Sequence, residues 1–209
     1  MKLMTYPGAC STADHIALQW TGRPFEVEIM NRDTLASARF RALNPAGTVP
    51  AIVDGDYVLT QNIAILTYIA ETYPHAGLFG DGSAMQRAET MRWLALGCTD
   101  IHPVFGVFFA PAIVLPDADR HDALKAAAAI RLRKMFERAD AQLDGREWFT
   151  GFRSAADAYL YVMLRWAEMH RLDMSGLDRL QAFKQRMEAD PGVRAALQAE
   201  GLEPIAEAA

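Results

Sequence analysis

Lys2-Leu3-Met4-Thr5-Tyr6-Pro7-Gly8-Ala9-Cys10-Ser11, continuing through His15-Ile16-Ala17-Leu18 to Phe25-Glu26-Val27-Glu28-Ile29-Met30, is the stretch that decides the fold. The runs Lys2 to Thr5 and Phe25 to Met30 have the length and residue types of short strands. Between them Ile16, Trp20 and the Ala13, Ala17 row carry helical spacing from about Ser11 to Thr21, and Gly22 with Pro24 closes that helix. Strand, helix and strand in this order predict a βαβ unit. The Pro7-Gly8-Ala9 turn leaves the first strand and delivers Cys10 to the helix start.

Working outward, a helical stretch from about Thr34 to Leu43 stops at Asn44-Pro45, because a residue before proline resists the helical region. Pro50-Ala51-Ile52-Val53 and Tyr57-Val58-Leu59 flank Asp54-Gly55, a hairpin signal, and a third helix runs from about Asn62 to Thr72 before Tyr73-Pro74. The order βαβ, hairpin, helix is that of a thioredoxin-like α/β domain. Strand signals end at the glycine-rich Gly77-Leu78-Phe79-Gly80-Asp81-Gly82-Ser83, so residues 1–76 are expected to form one domain, 77–83 a linker and 84–209 a second domain. The second reads as all-α. Ala84 to about Phe109 carries an apolar stripe at Met91, Leu94, Cys98, Ile101 and Phe105, and further helices are expected over 123–143, 155–170 and 177–190.

A length of 209 residues suits one large domain or two small ones, and 51% hydrophobic with 22% charged residues is an ordinary globular composition. The net charge of -5 lacks the basic excess of a nucleic-acid binder. No run is long enough to span a bilayer, and the chain turns at Pro7-Gly8 before a signal-like apolar segment develops, so no membrane partner and a cytoplasmic location are expected. Two cysteines in dissimilar segments do not form a disulfide framework. The five histidines show no ligand-like spacing, and no metal is expected.

Cys10 should place its sulfur near the unpaired amides of a helix N-terminus, which would lower a thiol pKa from about 8.5 and make it reactive. The alternative is a small buried apolar residue. The position of a second redox thiol, three residues on, is Ala13, so thiol exchange at Cys10 would need an external thiol.

These residues resemble a known family. Tyr6-Pro7-Gly8-Ala9-Cys10-Ser11 with His15-Ile16-Ala17-Leu18 is similar to the opening of bacterial beta-class glutathione transferases. Asn44-Pro45-Ala46-Gly47-Thr48-Val49-Pro50-Ala51 resembles their Asn-Pro-x-Gly-x-Val-Pro stretch, Leu59-Thr60 with Ile63-Ala64-Ile65 their glutathione-facing helix start, and Ser154-Ala155-Ala156-Asp157 their helix-capping motif. The resemblance spans nearly the whole chain. It implies a thioredoxin-like front domain, an all-helical rear domain, a homodimer, glutathione as cosubstrate with no fixed cofactor, and a small electrophile held between the domains.

It also implies site residues. Thr48, Val49 and Pro50 would form the glutathione-binding stretch, with a cis bond before Pro50 exposing the Val49 backbone; a plain strand-entry proline is the alternative. Gln61 and Asn62 stand where the family has an acidic residue and a small polar one, and Asn62 could cap amides that receive a carboxylate. Asp100 matches an acidic group given by the dimer partner, or is a solvated charge. Thr5 replaces the family's tyrosine, and strand alternation turns Tyr6 to the other face, leaving Cys10, Ser11 or Thr5 to poise the thiolate. His102 is positioned to point at the sulfur or to serve structure, while Pro103 replaces the family's lysine. Phe105, Phe108 and Phe109 line either the electrophile pocket or a core. Ser154 and Asp157 read as structural. Glutathione transfer to an electrophile, Cys10-dependent thiol exchange and ligand binding without turnover are the three functions compatible with this pattern.

Overall fold

The computed structural model describes residues 1–203; the end of the expected rear domain, 204–209, lies outside them. Strand β1 (Lys2–Thr5) is central, parallel to β2 (Glu26–Ile29) and antiparallel to β3 (Ala51–Asp54), which pairs with β4 (Tyr57–Thr60), giving the order β2-β1-β3-β4. The turn between β3 and β4 is two residues long, with Gly55 at φ 60. Side-chain alternation divides β1 between two packed faces. Leu3 joins Ile52 in the larger core, whereas Met4 and Tyr6 join Met30, Phe40 and Ala51 in a smaller one on the other side.

Helix α1 (Ser11–Thr21) lies on the first face and is buried at every residue but Gln19, ending at Gly22 with φ 64. One long helix was expected near 34–43. Instead α2 (Arg32–Ala36) is capped by Asn31, whose Oδ1 accepts from Thr34 N–H while its own N–H donates to Thr34 Oγ1, and stops at the extended Ser37, which caps α3 (Ala38–Leu43) by accepting from Phe40 N–H at 3.2 Å. Short hydroxyl and amide side chains compete here with the backbone ladder and divide it. Helix α4 (Asn62–Thr72) completes the sheet domain. The glycine-rich segment that follows is tied down: Leu78 and Phe79 are buried, and Leu78 C=O accepts from Ala155 N–H at 2.9 Å.

The stretch expected as one helix over 84–109 is two, α5 (Ala84–Leu96) and α6 (His102–Phe109), joined by a widened turn over Gly97–Ile101. His102 N–H reaches back five residues to Gly97 C=O. Pro103 has no N–H to return to Thr99, and the wider turn absorbs that missing bond without breaking the rod. Then come α7 (Pro111–Val114), α8 (His121–Gln142), α9 (Ala155–Met169), α10 (Asp178–Ala189) and α11 (Pro191–Ala199).

Helix α11 lies beyond the last helix expected from the sequence, which ended at 190. Asp190 caps it, accepting from Gly192 N–H at 2.8 Å and Val193 N–H at 3.0 Å, and proline is well suited to a first helical position. The same carboxylate accepts Trp20 Nε1–H from α1 at 2.8 Å. Gly192 is required by that approach: a Cβ would sit 2.7 Å from the Trp20 ring. Helix α1 thus packs on α9 and α11 as well as on α4, and one apolar core runs through both domains.

Candidate active site

The turn carrying Cys10 is held from three sides. Gly8, at φ 74, donates its N–H to Glu200 Oε2 at 3.2 Å and accepts Trp166 Nε1–H at its carbonyl at 2.7 Å. Both partners belong to the helical domain. From the sheet side, Asn62 Nδ2 donates to Cys10 C=O at 3.0 Å. A loop that would otherwise carry free backbone groups is therefore fixed at its apex and at the cysteine.

Glu200 extends this clamp. It also accepts from Thr5 Oγ1 at 3.1 Å and Thr12 Oγ1 at 2.7 Å, and its Oε1 lies 2.9 Å from His15 Nδ1. Its side chain is wholly buried. Thr5 Oγ1, with its one proton given to Glu200, lies 2.8 Å from Ser11 Oγ and accepts the Ser11 hydroxyl, while Ser11 Oγ accepts Tyr6 N–H at 3.2 Å. Thr5 and Ser11, two of the residues expected to poise a ligand thiolate, are fully buried, with their hydroxyls bonded beneath the loop. Nothing local announces Glu200, which stands 185 residues from His15.

Cys10 itself is half-buried, with Sγ donating to Val49 C=O at 3.8 Å. Burial pushes its thiol up to about 12, with the Asp14 carboxyl adding to the effect, while the amides at the start of α1 pull the other way and lose. Of the two readings of Cys10, reactive thiolate or small buried residue, this burial favours the second. Asp14 is entirely buried one turn into α1, and burial holds its carboxyl well above the usual carboxylate range despite Asn62 Nδ2 donating at 2.9 Å. Among the described residues Asp14 Oδ1 and Asn62 Oδ1 have no partner.

The expected binding stretch lies against this turn. The Val49–Pro50 bond is cis, Pro50 is buried, and Thr48 is exposed with its carbonyl accepting Asn44 Nδ2 at 2.6 Å. Gln61 has φ 76, a conformation rare for a residue with a side chain, and heads α4 without capping it. The first amides of α4 are thus open to an anion. Asn62 was expected to cap them; its side chain instead points inward to Cys10 and Asp14, and what it offers a ligand is its backbone.

From the helical domain, His102 reaches the same region through Trp166, whose ring lies 4.7 Å from the imidazole while its Nε1 holds Gly8. His102 Nδ1 is 2.7 Å from the Tyr159 hydroxyl, and burial lowers its pKa, so the ring is neutral at neutral pH. Phe105 is fully buried and packs on Trp166 and Phe136. Phe109, 44% exposed, leans on Trp166 beside the half-buried Phe108, so two of the three phenyl rings face outward from a shared aromatic base. Asp100 sits apart on the widened turn, half-buried, with Oδ2 accepting from Thr99 Oγ1 at 2.6 Å. Among the described residues no group of three or more metal-ligating side chains is gathered, and no helix is long and apolar enough to cross a membrane.

Two family models match the chain, one described as glutathione S-transferase, N-terminal domain, over residues 9–72, the other as glutathione S-transferase, C-terminal domain, over 101–191. The chain is 49% identical to glutathione S-transferase GST-4.5 of Xanthomonas campestris pv. campestris over 203 residues, covering 97% of this chain and all of that relative. A glutathione S-transferase structure from Xylella fastidiosa superposes with a TM-score of 0.93 at 48% identity, covering 97% of this chain and 99% of the other. A sphingomonad glutathione S-transferase complexed with glutathione superposes at 0.86 and 38% identity, covering 97% of this chain and all of that one.

Proposed function

Because the chain belongs to the glutathione S-transferase family, we propose that it is a transferase that binds glutathione along the Val49–Pro50 edge and joins the glutathione sulfur to a small apolar electrophile resting on Phe108 and Phe109. Glutathione is a cosubstrate, and the enzyme carries no fixed cofactor. The observation that supports this most directly is the convergence at one edge of the cis Val49–Pro50 bond, the Cys10 thiol facing Val49 C=O, and Gln61 at positive φ heading the open end of α4. The Val49 backbone pairs with the cysteinyl unit, and the α4 amides receive a carboxylate.

The reaction is substitution or addition at carbon. The glutathione thiol gives its proton to solvent, its sulfur lone pair forms the new C–S bond, and the electrophile releases a leaving group or takes the electrons into a conjugated system. In this reading Cys10 and His102, both kept neutral by burial, act as hydrogen-bond donors to the developing thiolate. Cys10 is therefore a donor in this reading. Exchange through a Cys10 thiolate runs against the burial that protonates it.

The remaining parts of the reading are the division at 77–83 and a homodimer in which Asp100 of a second copy supplies the negative charge that Gln61 lacks. Calorimetric titration with glutathione, on protein sized by sedimentation, tests the binding site and the homodimer. Expected is saturable binding by a dimer, weakened severalfold in Gln61→Ala. No binding would remove the transferase reading, and a monomer that binds normally would remove Asp100 from the site.

A further inference from the structure

We propose that Tyr159 is a positioning residue for the reaction: its hydroxyl donates to His102 Nδ1 and keeps the imidazole proton on Nε2, the atom that then serves as donor to the glutathione sulfur. This rests on the role given to His102 in the transfer reaction above.

Tyr159 lies on α9, 1% exposed, and its hydroxyl is 2.7 Å from His102 Nδ1. Among the described residues that hydroxyl has no other hydrogen-bond partner. The bond has two directions in principle. If Nδ1–H donated to the phenol oxygen, the phenol proton would be left buried with no acceptor, which is costly. With the phenol donating, both groups are satisfied and the neutral ring carries its proton on Nε2. Burial keeps the tyrosine protonated and the histidine neutral, so this pairing holds across the working pH range.

The backbone is shaped for this contact. A Cβ at Gly97 would fall 3.0 Å from Tyr159 Cδ1 and Cε1 and 2.8 Å from Met163 Cε, so glycine lets the Tyr159 ring lie directly on the widened turn. Gly97 C=O also receives His102 N–H across that turn. One turn therefore seats the tyrosine ring and sets the start of the helix bearing the histidine. The two rings stand edge to face, 6.1 Å apart at 75°. The imidazole also packs on Trp166, 4.7 Å away, which holds the Cys10 loop at Gly8. Packing alone would be met by phenylalanine; the hydroxyl adds the choice of tautomer.

The test uses Tyr159→Phe, which keeps the ring. Long-range nitrogen–proton spectra of labelled protein read the tautomer of His102 without any turnover. Expected is the Nε2–H form in the parent and a growing Nδ1–H population in Tyr159→Phe; an Nδ1–H parent, or an unchanged spectrum in the variant, overturns the proposal. In the reaction, Tyr159→Phe should lower kcat about fivefold to tenfold, the effect of one hydrogen bond. It should also raise the pH at which bound glutathione ionises by about half to one unit, read from thiolate absorbance. Affinity for S-methylglutathione, which has no thiol, should not change. Combined with His102→Ala, the tyrosine change should cost nothing further. Additive losses would overturn the proposal, as would a His102→Ala variant with full activity. A parent protein that binds S-methylglutathione without turning over would remove the transferase reading and leave the spectra to decide this one.

Discussion

At Cys10 two consequences of one loop oppose each other. The strand-to-helix turn puts the sulfur beside free amides, which favour a thiolate, and the same turn buries it against Val49 and above Asp14, which favours the thiol. Burial wins, pushing the thiol to about 12. Alkylation of Cys10 by iodoacetamide, followed site by site with mass spectrometry, should at pH 8 be at least about tenfold slower than in the denatured chain. Its rate should keep rising about tenfold per pH unit instead of levelling above about 8.5. A plateau near neutrality would show that the helix end prevails. Gln61 illustrates the opposite case, in which a residue stands in an unfavourable backbone region at the mouth of the site and the fold around it holds it there.

At the scale of elements, the start of α9 depends on Asp157. Its carboxylate accepts Ser154 N–H at 2.7 Å, Ser154 Oγ–H at 2.9 Å and Phe149 N–H at 2.7 Å, so one side chain caps the helix and holds the preceding loop. Complete burial nevertheless outweighs these three bonds and raises its pKa to about 6. The native pKa lies above the ordinary value of 3.8, so the folded state holds the proton longer than the unfolded one as pH rises. Its contribution is full below about 3.8, is lost through about 6, and is level beyond. The stability difference between the parent and Asp157→Asn, from urea unfolding, should therefore move in the variant's favour between pH 4 and pH 7. A difference independent of pH would show that the carboxyl titrates normally. Glutathione affinity should follow stability alone, since Asp157 touches no part of the site.

Across the whole molecule, α1 is shared property. It packs against α4 of its own domain and against α9 and α11 of the other, and its polar residues Thr12 and His15 meet Glu200. Trp20 to Asp190 and Gly8 to Trp166 repeat the pattern at either end. Neither domain closes its core alone, so tryptophan fluorescence and far-ultraviolet dichroism should report one coincident unfolding transition. Glu200→Ala, which strands buried donors from Thr5, Gly8 and Thr12, should lower stability by about 3 kcal/mol or more and move both signals together. Two separated transitions would mean that the domains fold independently.

Local patterns in the sequence determined the strand-helix-strand opening, the hairpin at Asp54-Gly55, the helical second half and the capping pair Ser154 and Asp157, because short-range backbone preference and side-chain period decide such features. The motifs around Cys10, Val49-Pro50 and Gln61 were legible for the same reason: each is a run of adjacent residues whose order carries its meaning. The tertiary structure decided where polar side chains spend their hydrogen bonds. Thr5, Ser11 and Asn62 read as ligand-facing residues and point inward, where Glu200 meets Thr5, Thr5 meets Ser11, and Asp14 meets Asn62. Cys10 read either as a reactive thiolate or as a small buried residue, and burial favours the thiol, because desolvation depends on what packs over a residue. His102 meets the Tyr159 hydroxyl, 57 residues away, through a bond that neither segment declares by itself.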